Sequence, residues 1–119
     1  MEEPLDLWQE IRQKTKQLDY SVKELRKSGT AYAEAEKAYK IKLREWCLRL
    51  RAQDMPIGLI DKTCYGIPEV ASLRFQRDCA EAVYKANLEA INAIKLEIRI
   101  INEQLAREMG RPGLGTGGA

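Results

Sequence analysis

Residues 11–50, IRQKTKQLDYSVKELRKSGTAYAEAEKAYKIKLREWCLRL, carry an apolar or aromatic side chain at every seventh position. A period of seven held over this length is typical of one seam position of a helical heptad, and neither a strand nor a loop produces it. The stretch therefore predicts a long α-helix with a seam along one side. The row consists of Ile11, Leu18, Leu25, Tyr32, Tyr39 and Trp46.

A second row completes the predicted seam of this helix. Proline is absent from residues 5–52 and glycine occurs there once, so we predict a helix over about 5–52. Gly29 is its weak point, because glycine costs a helix about 1 kcal/mol relative to alanine. The second row is Trp8, Thr15, Val22, Gly29, Glu36, Leu43 and Leu50.

A second long helix is predicted over about 68–109. Pro68 suits the first helical position, Glu69 interacts favourably with the helix N-terminus, and Gly110 ends the helix. Residues 110–119, GRPGLGTGGA, predict a flexible glycine-rich tail after a single helical domain spanning 1–109. The seam rows of this helix are Val70, Arg77, Tyr84, Ile91, Ile98 and Leu105, and Leu73, Ala80, Asn87, Ile94 and Ile101.

The connector between the long helices, bounded by Pro56 and Gly66, predicts a short helix at about 56–65. A compact connection between two long helices makes them antiparallel. The predicted fold is therefore all-α: an antiparallel, coiled-coil-like hairpin of two long helices with a short connecting helix. Because two helices alone make a thin core, we also predict that the hairpin dimerises into a helical bundle.

Folding about the connector also predicts a register. Facing residues have numbers that add to about 120 when the heptad rows are matched. Glu36 then lies within reach of Arg77. The predicted neighbours are Gly29 with Ile91, Tyr39 with Ala80, and Tyr32 with Asn87.

A second apolar stripe lies outside the seam of the second long helix, and it is the candidate self-association surface. The first helix has a shorter counterpart that includes Ile41 and Leu48. One interpretation is that the connector and Phe75 cover much of this surface. The other is self-association, or docking of another protein, because an amphipathic helix needs one stripe only. The stripe consists of Cys79, Val83, Ala86, Ala90, Ala93 and Ile100.

Basic residues cluster where the two long helices meet the connector, and they are the candidate partner-binding or nucleic-acid-binding residues. Basic side chains complement the C-terminal end of a helix, so part of the cluster has a structural explanation. Arg74 and Arg77, however, lie near a helix N-terminus, where cations are disfavoured. A formal net charge of +2 is too small to indicate nucleic acid by itself. The candidates are Lys40, Arg44, Arg49, Arg51, Arg74 and Arg77.

The sequence carries no recognisable catalytic, cofactor-binding or metal-binding motif. It contains no histidine, so no serine or cysteine has the usual base, and we predict no enzymatic activity, cofactor or metal site. Cys47, Cys64 and Cys79 are an odd number without zinc-site spacing, which favours a reducing cytoplasm. The N-terminus lacks the apolar core of a signal peptide, and no apolar run approaches the roughly 20 residues of a membrane span, so we predict no membrane association.

Residues 25–110 resemble a group of small proteins encoded by phages and prophages of Firmicutes. The resemblance rests on the P-x-x-L-I-D-K turn at Pro56, the YGIPEVA helix start at Tyr65 and the RD-x-AE-x-x-YKA-x-x-EAIN run from Arg77. It implies a one-domain, all-helical accessory protein made in the cytoplasm of a bacterial host cell. It supplies no catalytic residues.

The resemblance and the absence of catalytic motifs lead to one principal hypothesis. The chain is a non-enzymatic phage or prophage accessory protein that binds a host or phage protein, with inhibition of a host defence system such as a nuclease complex as its role. One alternative is a replication or recombination accessory that binds nucleic acid through the basic end. Another is a structural or assembly component of the virion.

Overall fold

The computed structural model describes residues 4–110 and consists of three helices within that range. These are α1 (Pro4–Ala52), α2 (Ile57–Cys64) and α3 (Pro68–Glu108). No strand occurs between residues 4 and 110. The all-helical prediction is confirmed, and the long helices α1 and α3 pack together. The predicted tail after Gly110 lies outside the described residues.

α1 ends in a left-handed turn at Asp54, whose φ is 62°. The Asp54 amide donates to the Arg51 carbonyl over 3.0 Å, and the Met55 amide donates to the Leu50 carbonyl over 3.2 Å. These two bonds form a Schellman motif, which closes the C-terminus of a helix. Met55 also packs on the apolar cluster that contains Leu50, as is common beside this motif.

α2 packs against the last turns of α1. Ile60 and Cys64 are buried with Leu50 in one apolar cluster, and Leu43 and Cys47 pack against it from α1. Ile60 and Cys64 lie one turn apart on the same face of α2, so this eight-residue helix packs on α1 through that face. The connector therefore doubles back along α1.

α3 consequently begins beside Trp46 of α1. The indole N–H of Trp46 donates to a carboxylate oxygen of Glu69 over 3.2 Å, and the ammonium of Lys42 lies 3.0 Å from the other oxygen. Val70, one residue further, is fully buried. At its other end α3 stops as predicted, with Gly110 at a φ of 68° just beyond the helix.

The described chain divides into two compact units, and the first of them is Arg26–Ala86. Contacts between α1 and α3 in this unit run in opposite order along the two helices. Tyr32 contacts Glu81, Glu36 contacts Arg77 and Lys42 contacts Glu69.

The predicted register is wrong by one heptad in this unit, although the predicted contact between Glu36 and Arg77 is confirmed. The numbers of the pairs Gly29 and Tyr84, Tyr32 and Glu81, and Glu36 and Arg77 each add to 113 rather than about 120. Gly29 faces Tyr84 instead of Ile91, and Tyr39 lies under Arg77 instead of beside Ala80. The cause is α2, which carries the chain back along α1 before α3 starts.

The second unit contains residues 4–25 and 87–110. Lys14 forms an ion pair with Glu97 at 2.7 Å, and the Asn87 amide nitrogen donates to the Glu24 carbonyl over 3.3 Å. The prediction that Asn87 lies beside Tyr32 is therefore wrong, because Asn87 contacts Glu24 instead. The core of this unit is formed by Leu7, Ile101 and Leu105, with Ile11 packed against them.

The seam rows predicted for α3 are confirmed by burial, and those of α1 need correction at two positions. Every member of the two α3 rows is buried or half-buried. At the start of α1, Leu7 is fully buried whereas the predicted seam residue Trp8 is 55% exposed. Thr15, two turns along, is exposed as well.

Between residues 4 and 110, the helices lack an apolar stretch of the length that a membrane span needs.

Candidate interaction surfaces

Arg77, a candidate binding residue, lies in the contact between α1 and α3. Its guanidinium is 3.2 Å from a Glu36 oxygen and 2.8 Å from an Asp78 oxygen, and it stacks 4.7 Å from the centre of the Tyr39 ring. The hydrogen bond to Asp78 is the main reason that the pKa of Arg77 is raised, and Glu36 adds to it. With 20% of its side chain exposed, Arg77 serves the packing of α3 on α1.

Tyr32 forms a second polar contact across the same two helices. Its hydroxyl donates to a Glu81 oxygen over 2.8 Å, and its ring centre lies 5.9 Å from that of Tyr84. The hydrogen bond to Glu81 raises the pKa of Tyr32, because ionisation would place a phenolate beside a carboxylate. These polar groups are paired across the seam, so few of their hydrogen-bonding atoms are available to a partner.

Glu69 fixes the start of α3 through two donors from α1. The ammonium of Lys42 and the indole N–H of Trp46 both contact its carboxylate, and together they lower the pKa of Glu69. The pKa of Lys42 is raised in turn by its contacts with Glu45 and Glu69. Arg49, another candidate, stacks over the Trp46 ring at 4.2 Å and so borders this cluster.

Lys40 and Arg74 are exposed and weakly held. The ammonium of Lys40 lies 3.9 Å from Glu36, with 72% of the side chain exposed. The Arg74 guanidinium lies 5.7 Å from the centre of the Tyr65 ring. Exposed contacts at these distances contribute little to stability, so both cations remain accessible to a partner.

The remaining two candidates, Arg44 and Arg51, line one apolar groove between α1 and α2. The groove has a volume of about 300 Å³. Leu48 is 57% exposed and Ile57 is 64% exposed, so apolar surface lies open between the two arginines and α2. We call this surface the α1–α2 groove, and its lining is Arg44, Cys47, Leu48, Arg51, Ile57, Ile60 and Asp61.

The groove was not predicted from the sequence, although the residues of its α1 wall could have been recognised there. Arg44, Leu48 and Arg51 have the spacing of residues that share one helix face. The other wall comes from Ile57 and Asp61 of α2, whose placement depends on the fold-back of the connector.

The predicted self-association stripe of α3 is exposed at every position. Val83 is 55% exposed and Ile100 is 51% exposed, and the other four members are exposed too. The interpretation that the connector and Phe75 cover this second apolar surface is wrong, because Ile41 and Leu48 are at least half exposed and Phe75 is 69% exposed. The connector instead covers Leu50 on another face of α1.

The three cysteines are all free thiols in different environments. Cys64 is buried, Cys47 is half-buried and Cys79 is exposed. Burial is the main reason that the pKa of Cys64 is raised, and the neighbouring Cys47 adds to it. Among residues 4–110, no group of three or more acidic or cysteine side chains is arranged to hold a metal ion.

A shallow hollow of about 520 Å³ lies in the second unit, lined mainly by polar residues that include Gln13, Lys16 and Tyr20. Its lining mixes the apolar surface of Tyr20 and Ile94 with polar side chains, and Lys16 is the one charged residue among the described residues that line it. Comparison of the chain with protein-family models, curated proteins and solved structures found no match. The proposed function therefore rests on the surfaces described above.

Proposed function

We propose that this chain is a non-enzymatic accessory protein that acts by binding other proteins. The observation that supports it is the stripe on α3, whose six members are all exposed, with Val83 and Ile100 each more than half exposed. Aliphatic side chains left open at helical spacing are typical of a surface that another helix covers. The absence of histidine from the sequence supports a role without catalysis.

The architecture that we propose is an antiparallel hairpin of α1 and α3, paired with a second copy. The opposite order of contacts in each unit supports the hairpin. The small side chains of the stripe, such as Ala86 and Ala90, allow a second helix to approach closely, and Val83 and Ile100 supply apolar area. Two copies joined through their stripes would form a helical bundle with a larger core than one copy has.

The biological setting that we propose follows from the resemblance to phage and prophage proteins. The chain would act in the cytoplasm of a bacterial host cell and bind a host or phage protein, and inhibition of a nuclease-based defence is the role proposed. Such inhibition needs stoichiometric binding only, which suits a chain that presents helix surfaces.

The stripe is tested by Val83→Glu, which places a charge in the proposed contact. At low protein concentration in high salt, the wild type is expected to sediment as a dimer and Val83→Glu as a monomer, while Leu59→Glu, which changes a similarly exposed aliphatic residue of α2, stays dimeric. In cells that restrict a phage with a nuclease defence, the wild type should raise plaque formation and Val83→Glu should not. If the wild type is monomeric and leaves plaque formation unchanged, the proposal fails.

A second candidate function is nucleic-acid binding, and it is favoured by the convergence of Arg44 and Arg51 on one groove. Phosphate contacts make binding strongly salt-dependent. The test is retardation of DNA and RNA at low salt by the wild type and by Arg44→Ala/Arg51→Ala. Arg77 is left unchanged because it holds Glu36. Equal mobility of nucleic acid with and without the wild type would eliminate this function.

A further inference from the structure

We propose that the α1–α2 groove of one copy receives the N-terminal patch of α1 from a second copy. The N-terminal patch is defined as Leu5, Asp6 and Trp8. This contact is separate from the α3 stripe and uses neither Val83 nor Ile100. It gives the chain a head-to-tail contact in addition to any pairing through α3.

The groove offers an apolar floor with two arginines on its α1 side and Asp61 on its α2 side. Leu48 and Ile57 are both more than half exposed, and both line this groove. Arg44 and Arg51 stand two helical turns apart on the α1 side. A ligand that fits this surface needs apolar side chains flanked by carboxylates.

The N-terminal patch has these properties. Leu5 is 66% exposed and Trp8 is 55% exposed, whereas Leu7 between them is fully buried. The first ten residues contain four acidic residues and no basic side chain, and the first basic residue is Arg12. Asp6 is exposed beside the two apolar side chains. Favourable interaction with the helix N-terminus explains the acidic residues but not the exposure of Leu5 and Trp8.

The complementarity of charge selects this occupant. Docking Trp8 and Leu5 over Leu48 and Ile57 buries apolar surface on both sides, and it brings Asp6 towards the two arginines. Opposite charges at the border of an apolar contact fix its orientation and speed association. A large aromatic side chain such as Trp8 commonly anchors an interface of this kind.

The contact joins copies head to tail. Each copy carries one patch and one groove, so the contact is heterologous and adds copies in a row instead of closing on a dimer. Salt should weaken it, since the charges involved are exposed.

The test is carried out on the full chain with Val83→Glu in every variant, so that pairing through α3 is removed. This parent chain is expected to gain mass with concentration in sedimentation equilibrium up to about 0.5 mM, and to lose that gain in high salt. Trp8→Glu and Leu48→Glu should each sediment as single copies. Mixed in equal amounts, they should form a complex of two copies and nothing larger, because each retains one intact surface.

Controls keep the outcomes separate. Leu59→Glu changes an exposed aliphatic residue of α2 outside the groove and should assemble like the parent. Ile57→Glu tests the groove independently of Leu48, and circular dichroism verifies helix content. The proposal is overturned if the parent stays a single copy throughout, if Trp8→Glu or Leu48→Glu assembles like the parent, or if their mixture forms no two-copy complex. A failure of Val83→Glu to disrupt dimers would count against the α3 stripe instead.

Discussion

The ring of Tyr84 lies against the backbone of Gly29, so that a Cβ atom at residue 29 would come within 3.3 Å of the ring carbon Cε1. The ring also packs against Tyr32 at a centre-to-centre distance of 5.9 Å. A glycine costs a helix stability, and here the missing side chain lets the ring approach without the shift of a few tenths of an ångström that a Cβ atom would require. Gly29 and Tyr84 thereby help to select the register of this unit.

Replacement of Gly29 by valine should lower the free energy of unfolding by about 1–3 kcal/mol, because the added methyl groups push the Tyr84 ring out of its place. Urea denaturation of the wild type and Gly29→Val measures this difference. Gly58 of α2 provides the control, since no atom lies within 4 Å of its potential Cβ. Gly58→Ala should raise stability by up to about 1 kcal/mol. Unchanged stability of Gly29→Val would contradict the close approach.

Carbodiimide crosslinking should join Lys42 to Glu69, because the ammonium and carboxylate are 3.0 Å apart. The sum of about 120 expected from the heptad rows would place Lys42 beside Asp78 instead. Mass spectrometry of the proteolysed product distinguishes the two linkages. Lys42→Arg, which carbodiimide does not couple, removes the crosslink and serves as the control. Recovery of a Lys42–Asp78 linkage would show that the register described above is wrong.

Arg77→Ala should destabilise the fold by about 1–3 kcal/mol, because it removes the nearer of the two cations beside the half-buried Glu36 and uncovers Tyr39. Arg74→Ala, three residues away and exposed, should change stability by less than about 0.5 kcal/mol. Thermal and urea unfolding of both variants provide the comparison. Equal effects of the two substitutions would place Arg77 outside the contact between α1 and α3.

The ion pair at the start of α3 predicts a loss of stability in acid. The pKa of Glu69 is lower in the folded chain than its ordinary value of 4.5, because Lys42 and Trp46 donate to the carboxylate. The stabilisation is therefore complete above pH 4.5 and is lost as the pH falls through the folded-state pKa. Glu69→Gln should be less stable than the wild type at neutral pH, and the difference should shrink in acid.

The control for this pH dependence is Lys42→Met, which removes the first donor to Glu69. In that background Glu69→Gln should change the pH dependence much less than it does in the wild type. Chemical denaturation at a series of pH values measures all four chains. A difference between the wild type and Glu69→Gln that stays constant down to about pH 2.5 would rule out the predicted linkage.

The sequence predicted which faces of the long helices meet, but it could not predict their register. Apolar rows such as Ile91 and Ile98 repeat every seven residues, so a shift of one heptad leaves the same faces in contact. The fold-back of α2, which decides between these registers, depends on the packing of Ile60 and Cys64 and is not periodic. Leu7 and Trp8 were interchanged for a related reason, since a heptad assigned from later turns is least constrained at the helix start.

The burial of the candidate site residues could be predicted in part from the sequence. Arg77 belongs to a seam row whereas Arg74 does not, and this difference already indicated that Arg77 packs between helices. The groove at Arg44 and Arg51 could not be predicted in this way, because its second wall comes from another helix. Periodicity describes a single helix, and a groove requires two helices whose packing is known.

The small cluster of Leu50, Ile60 and Cys64 has a kinetic consequence. It is built from the last turns of α1 and from α2, of whose eight residues only Ile60 and Cys64 are buried. Segments with few buried apolar contacts open locally at lower free energy than the chain unfolds. Amide protons of α2 should therefore exchange with solvent sooner than those around Val70, and transient opening is the route by which the Cys64 thiol meets solvent.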